Sequence, residues 1–207
     1  MTATVPVVEP AVDPAVPQPP FGWTVSVPTD WVRLDTAPAT WARSAGRLVT
    51  ERFAARTAAE RRVAYGVVEQ LVADCQRARA AVSMLLLGRM STGATGSAGL
   101  HLGWYDSAPE PAGLAAVRDA LPRTGISEQV ATPAGPALLH VDVAMTVPPG
   151  GGARVRSEVR QLFLPFPGTT WTAVVSAATG HPELHRVVAE VVLAVGRGIR
   201  IRTGAAS

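Results

Sequence analysis

The chain runs to 207 residues, of which 47% are hydrophobic and 17% charged, ample for one packed domain. Its formal charge is +3 and all 19 basic side chains are arginine, without the dense basic stripe interleaved with aromatics that nucleic-acid binding calls for. No stretch approaches the roughly 18 uninterrupted apolar residues of a membrane span, and a single cysteine, Cys75, excludes an internal disulfide and fits a reducing compartment.

Residues 1–20 are rich in proline, with Glu9 and Asp13 and no base. Such a segment has too few large side chains to offset its ordering entropy and reads as a disordered tail. It lacks the basic patch and apolar run of a secretory signal, so cytoplasmic residence is expected. Order is expected to begin at Phe21. Trp23, Val25 and Val27 alternate with Thr24 and Ser26, the period of a half-buried strand. Pro28 stops that strand, and Trp31-Val-Arg-Leu is a short continuation.

A helix is expected over 38–56 and a stronger one over 58–81, where Ala64, Val67, Val68, Leu71, Val72 and Cys75 share a face. Thr57 before Glu60 has the spacing of a capping box. Val82-Ser-Met-Leu-Leu-Leu reads as a buried strand and Leu100-His-Leu-Gly-Trp as another, joined by a Gly/Ser/Thr loop over Gly93–Gly99. A short helix over 111–121 precedes strands at 129–132 and 137–146. Pro148-Pro-Gly-Gly-Gly marks a long hairpin tip. Two long strands follow from Arg154 to Ala177, reversed around Pro167-Gly168 by a loop of three to five residues. Pro182 opens a last helix with Leu184, Val187, Val188, Val191 and Val195 as its buried stripe, and Gly196 and Gly198 close it. Helices at both ends of a mostly antiparallel strand region give an α+β fold, a three-layer α/β/α sandwich. One domain is expected over 21–202, with a flexible end over 203–207.

The run from Trp23 to Trp31, aromatic-x-Val-x-Val-Pro-x-x-Trp, resembles the opening of the PsbP-like and DcrB-like sandwich family. The long hairpin with Pro-Gly at its tip and the amphipathic last helix resemble that fold's end. The likeness covers about residues 21–202 and is greatest to an actinobacterial branch. It implies binding rather than catalysis: such folds serve as extrinsic photosystem subunits, a GTPase-binding nuclear-transport factor, envelope proteins and chaperones for secretion effectors. No functional residue carries over by position.

The residues themselves carry no catalytic or cofactor signature. Gly93–Gly99 lacks the Gly-Lys-Ser/Thr ending of a phosphate loop, and Thr95 stands where a nucleophile elbow around Ser97 needs glycine. It reads as a connector. His181 and His185 lie one turn apart, but a zinc site needs a third ligand, and His101 and His140 sit on separate strands. His181-Pro-Glu therefore reads as a helix start, with Glu183 favoured by the helix dipole. Cys75 reads as a small buried hydrophobe.

Arginine usage throughout reads either as the composition of a GC-rich genome or as anion recognition. Arg154, Arg156, Glu158 and Arg160 share one strand face. If Arg200 and Arg202 come near, an electropositive surface forms for an acidic partner. Trp41 is the tryptophan least fixed by a pattern, and an exposed tryptophan there marks a hot spot. The favoured reading is a non-enzymatic protein-binding module that captures an acidic or apolar partner segment on its sheet or edge: an adaptor, an assembly subunit or a secretion-associated chaperone. Its partner residues are Arg154, Arg156, Arg160, Arg200, Arg202 and Trp41, and it needs no cofactor. The alternatives are a small-ligand or sensory domain with a cavity between helix and sheet, and a hydrolase using Ser97, His101 and Asp142.

Overall fold

The structure, a computed structural model, describes residues 7–8, 15–91, 95–146 and 154–202. The expected hairpin tip over 148–152, most of the tail and the end over 203–207 lie outside the described residues. Within the tail, Val7–Val8 (β1) pairs antiparallel with Gly22–Ser26 (β2). Trp23 and Val25 are buried as the alternation predicts, but so is Thr24. The cause is position: β2 belongs to a second, three-stranded sheet, flanked by β1 and by Arg200–Arg202 (β10). Val32–Arg33 (β3) does not continue β2. It pairs with the first long strand of the main sheet.

Asp35 accepts hydrogen bonds from the Ala37 N–H and the Ser44 hydroxyl, both at 3.0 Å. That turn delays the first helix (α1) to Trp41–Arg52, three residues later than its sequence suggests. The second helix (α2) spans Ala58–Arg77 and carries the expected capping box. Thr57 Oγ1 accepts from the Glu60 N–H, and Glu60 Oε2 accepts from the Thr57 N–H.

The main sheet adds Val82–Arg89 (β4), Thr95–Asp106 (β5), Ile126–Thr132 (β6), Gly135–Thr146 (β7), Val155–Pro165 (β8) and Trp171–Thr179 (β9), with a short helix (α3) over Leu114–Ala120. Its order is β3-β4-β5-β9-β8-β7-β6, antiparallel throughout. The reversal between β8 and β9 takes five residues, and Gly168 supplies the positive φ of +79° that the turn requires. Of the expected Gly93–Gly99 connector, residues 95–99 are strand. Small residues have weak strand preference alone, but here the whole segment is paired with β4, and Gly99 with β9 as well.

The last helix (α4, His185–Gly198) follows a 3-10 turn at Pro182–Leu184 and retains Gly196 and Gly198 in its final turn. It lies on β8, β9 and β2, and α1 with α2 lies on the opposite face. This is the three-layer α/β/α sandwich of an α+β chain. The sequence of β5 shows how the layers divide. Ala98, Leu100, Leu102 and Trp104 enter the core beneath α4, whereas Ser97, Gly99, His101 and Gly103 face α2. Trp104 stacks edge-on with Trp23 and Phe21 at centroid distances of 5.1 and 5.9 Å. Val188, Val191, Val192 and Val195 of α4 complete that core. Gly196 permits the contact, because a β-carbon there would overlap Leu162 Cδ2.

Candidate functional site

The arginine-rich strand is β8, and its register sets what lies beside it. Arg156 is opposite Met145, Glu158 opposite Val143 and Arg160 opposite Val141, which is in turn opposite Ile126. Opposed residues share a face, so an apolar strip on β7 and β6 runs alongside the charged strip on the α4 side. Helix α4 packs on β8 and β9, and Ile126, Met145 and Val143 remain 75%, 57% and 41% exposed. Strand β6 is the outermost of the sheet on its side, and Ile126–Gln129 are all exposed.

The charges beside this strip differ in kind. Arg160 Nε donates to Glu158 Oε1 at 2.6 Å, and His185 Nδ1 stands 3.4 Å from Glu158 Oε2. Arg160 is therefore held within the fold. Arg154 and Arg156 are exposed and make no ion pair among the described residues.

Arg200 and Arg202 do not join them. Arg200 lines a 340 Å³ cleft with Phe166 and Pro167, at the far end of β8 from Arg154. A strand of that length spans roughly 33 Å. The guanidinium of Arg200 is turned onto the Ile199 carbonyl at 2.9 Å, and Arg202 lies against Gly22 on β10. Trp41 is half-buried against Tyr65, with ring centroids 6.4 Å apart, above a 170 Å³ hollow that Asp35, Arg47 and Glu51 also line. The single electropositive surface expected from all these arginines is thus split between two ends of the molecule.

A second region lies under α2. A cleft of about 420 Å³ opens between Val63, Val67, Gln70, Leu71 and Asp74 of the helix and the small residues of the sheet. The physical cause is the α2-facing half of the β5 alternation. Leu71 settles onto Gly99. Beyond it Ser97, Ser176, Ala178 and Ser157 are too short to fill the space beneath the helix. Thr179 Oγ1 donates to the Ser97 carbonyl at 2.8 Å, and the Thr146 and Ser157 hydroxyls are 2.7 Å apart. Burial holds the His101 imidazole below its ordinary pKa, against the opposing pull of Asp74. His101 is therefore neutral at neutral pH.

The hydrolase set does not assemble. Ser97 and His101 are four residues apart on β5, about 13 Å along a strand, and Asp142 lies on β7, three strand spacings or about 14 Å away. Asp142 instead accepts from the Val143 N–H and the Thr124 hydroxyl, which lower its pKa. Glu183 accepts from Ser91 N and Oγ at 2.9 and 2.8 Å, which lowers its pKa and ties the turn before α4 to β4. Cys75 is buried, and desolvation raises its thiol to about 11. Among the described residues no three His, Cys, Asp or Glu side chains are grouped to hold a metal ion, and no helix is long and apolar enough to cross a membrane.

No family model matches the chain, and comparison with curated proteins finds no match. Among solved structures it is similar to the crystal structure of LpqN, involved in cell envelope biogenesis of Mycobacterium tuberculosis. The TM-score is 0.43 at 11% identity, over 88% of this chain and 86% of that one. A likeness of that size does not bear on what this chain does.

A cavity between helix and sheet and a binding edge were both among the sequence expectations, but the residues that form them were not, although one signal was present. Alternate residues of β5 are large and apolar on one side and Ser, Gly or His on the other. That marks a face where a helix cannot pack tightly.

Proposed function

We propose that this chain is a non-enzymatic protein-binding module that takes a partner segment along the outer edge of β6 and over the apolar strip beside it. The observation that carries this reading is the contiguous exposure of Ile126, Val143 and Met145 next to an unpaired strand edge. An exposed apolar surface rimmed by polar groups is costly to keep unless something covers it. An unpaired edge offers its N–H and C=O groups to an added strand. Arg154 and Arg156 at the rim favour a partner segment that alternates apolar and acidic side chains, giving orientation and on-rate more than affinity. Arg160, Arg200, Arg202 and Trp41 fall outside this surface. The reading fits an adaptor, an assembly subunit or a secretion-associated chaperone, in keeping with the PsbP-like and DcrB-like resemblance.

The test is a comparison of partner recovery and amide exchange between the wild type, an Ile126→Asp/Met145→Asp variant and an Arg200→Glu/Arg202→Glu variant. The expected result is a partner that slows exchange at 126–132, lost in the first variant and kept in the second. Equal recovery by all three, or protection confined to other strands, contradicts the proposal.

A further inference from the structure

The register of the main sheet lines up polar residues that are scattered through the sequence. Ser83 is opposite His101, His101 opposite Ser176, Ser176 opposite Gln161, Gln161 opposite His140, and His140 opposite Ser127. These six residues form one row across six strands on the face beneath α2 and α3, since opposed residues share a face. The rows on either side are apolar over the central strands, Leu85, Gly99, Ala178 and Val159 on one and Gly103, Val174, Phe163 and Leu138 on the other, and end in Asp142 and Gln129.

The two ends of the row are closed over, and Ser83 Oγ and His140 Nε2 are buried there without a hydrogen-bond partner among the described residues. Ser83 lies beside the Cys75 thiol, and the Ser127 hydroxyl pairs with His140 Nδ1 at 2.8 Å. The middle is open. Ser176 is only 5% exposed and lines the 420 Å³ cleft with His101. Neither of them, nor Gln161 beside them, makes a side-chain hydrogen bond among the described residues. The Ser176 hydroxyl and the His101 imidazole therefore face the cleft, where water or a ligand supplies the partner that the protein does not.

We infer that the middle of this row, His101 and Ser176 in the cleft with Gln161 next to Ser176 in the register, is a binding site for a neutral small molecule carrying amide or hydroxyl groups. The cleft volume is in the range of small-molecule sites, and an apolar lining crossed by a few convergent polar groups is their usual construction. The charge of the ligand follows from the lining. Although every basic residue of the chain is arginine, none lines this cleft, and its one carboxylate is Asp74. Apart from the imidazoles of His101 and His181, nothing there compensates a buried carboxylate or phosphate. A neutral imidazole, a hydroxyl and a carboxamide together offer donors and acceptors in turn, which suits amide and hydroxyl groups equally. The site lies on the opposite face of the sheet from the apolar strip of β6 and β7, so it stands or falls independently of the protein-binding surface.

The experiment follows the His101 side-chain signals by NMR while the full chain is titrated with four probes of similar size. N-acetyl-leucinamide and 1,2-hexanediol are neutral; N-acetyl-leucine is an anion and leucinamide a cation. The expected result is a saturable shift of His101 with at least one neutral probe, with the charged probes roughly tenfold weaker or more. Ser176→Val abolishes the shift while its melting temperature stays within reach of the wild type. Gln161→Leu, half-buried and opposite Ser176, weakens the shift and serves if the first variant fails to fold. A charged probe that binds as tightly as the neutral ones, or no shift with either neutral probe, overturns the inference.

Discussion

The two faces of β5 meet helices of the same sandwich on different terms. On the α4 side, Leu100, Leu102 and Trp104 interlock with a valine stripe, and α4 approaches so closely that Gly196 must lack a β-carbon. On the α2 side, Ser97 and His101 leave a cleft, and contact is made through Leu71 over Gly99. The sheet is the same, so the difference comes from the side chains on each face. Tight packing gives cohesion. A face of short and polar residues gives up some of that cohesion and gains room for something else.

Cutting into the α4 side should have the largest effect. Leu162 is fully buried under α4, and Leu162→Ala is expected to lower unfolding free energy by about 2–5 kcal/mol in urea denaturation. Gly196→Ala overpacks the same contact from the helix, and a loss of about 1–3 kcal/mol is expected. Thr57→Ala removes one half of the capping box on α2 and should cost about 1 kcal/mol. By contrast Ser176→Ala, beneath α2, removes a hydroxyl with no partner among the described residues. It should change stability by less than about 0.5 kcal/mol despite its burial. A loss as large as that of Leu162→Ala would erase the contrast between the faces.

The smallest expected effect is on pH dependence. Burial lowers the His101 pKa in the folded state below the ordinary 6.5, so the unfolded chain binds the proton more readily. The stability that neutral His101 confers is complete above that ordinary value. It declines as pH falls from there toward the depressed folded value. His101→Gln should flatten the slope of unfolding free energy over that acidic window. An unchanged slope would place the pH response elsewhere.

What the sequence made legible was local. The capping box at Thr57, the alternation that builds β8 and β9 and the valine stripe of α4 each rest on neighbours a few residues apart. The PsbP-like and DcrB-like pattern from Trp23 to Trp31 runs from β2 to the residue before β3, but these two strands fall in different sheets. The joint arginine surface failed for a topological reason. Arg200 follows α4 back to the far end of β8, which no spacing in the sequence reveals. The polar row was hidden for the same reason: each strand contributes one member, and only the register aligns them. Gly93–Gly99 misled because pairing of residues 95–99 with β4 overrides the weak strand preference of Gly and Ser.

The measurement that tests the contrast most directly is equilibrium unfolding of a Ser176→Val/Gln161→Leu double variant, which makes the middle of the row apolar at similar volume. If this face is shaped for binding, the variant is as stable as the wild type or more so, since a hydroxyl and a half-buried carboxamide without partners among the described residues are replaced by packed apolar groups. A loss beyond about 2 kcal/mol would show that the row holds the fold together, and would contradict the account.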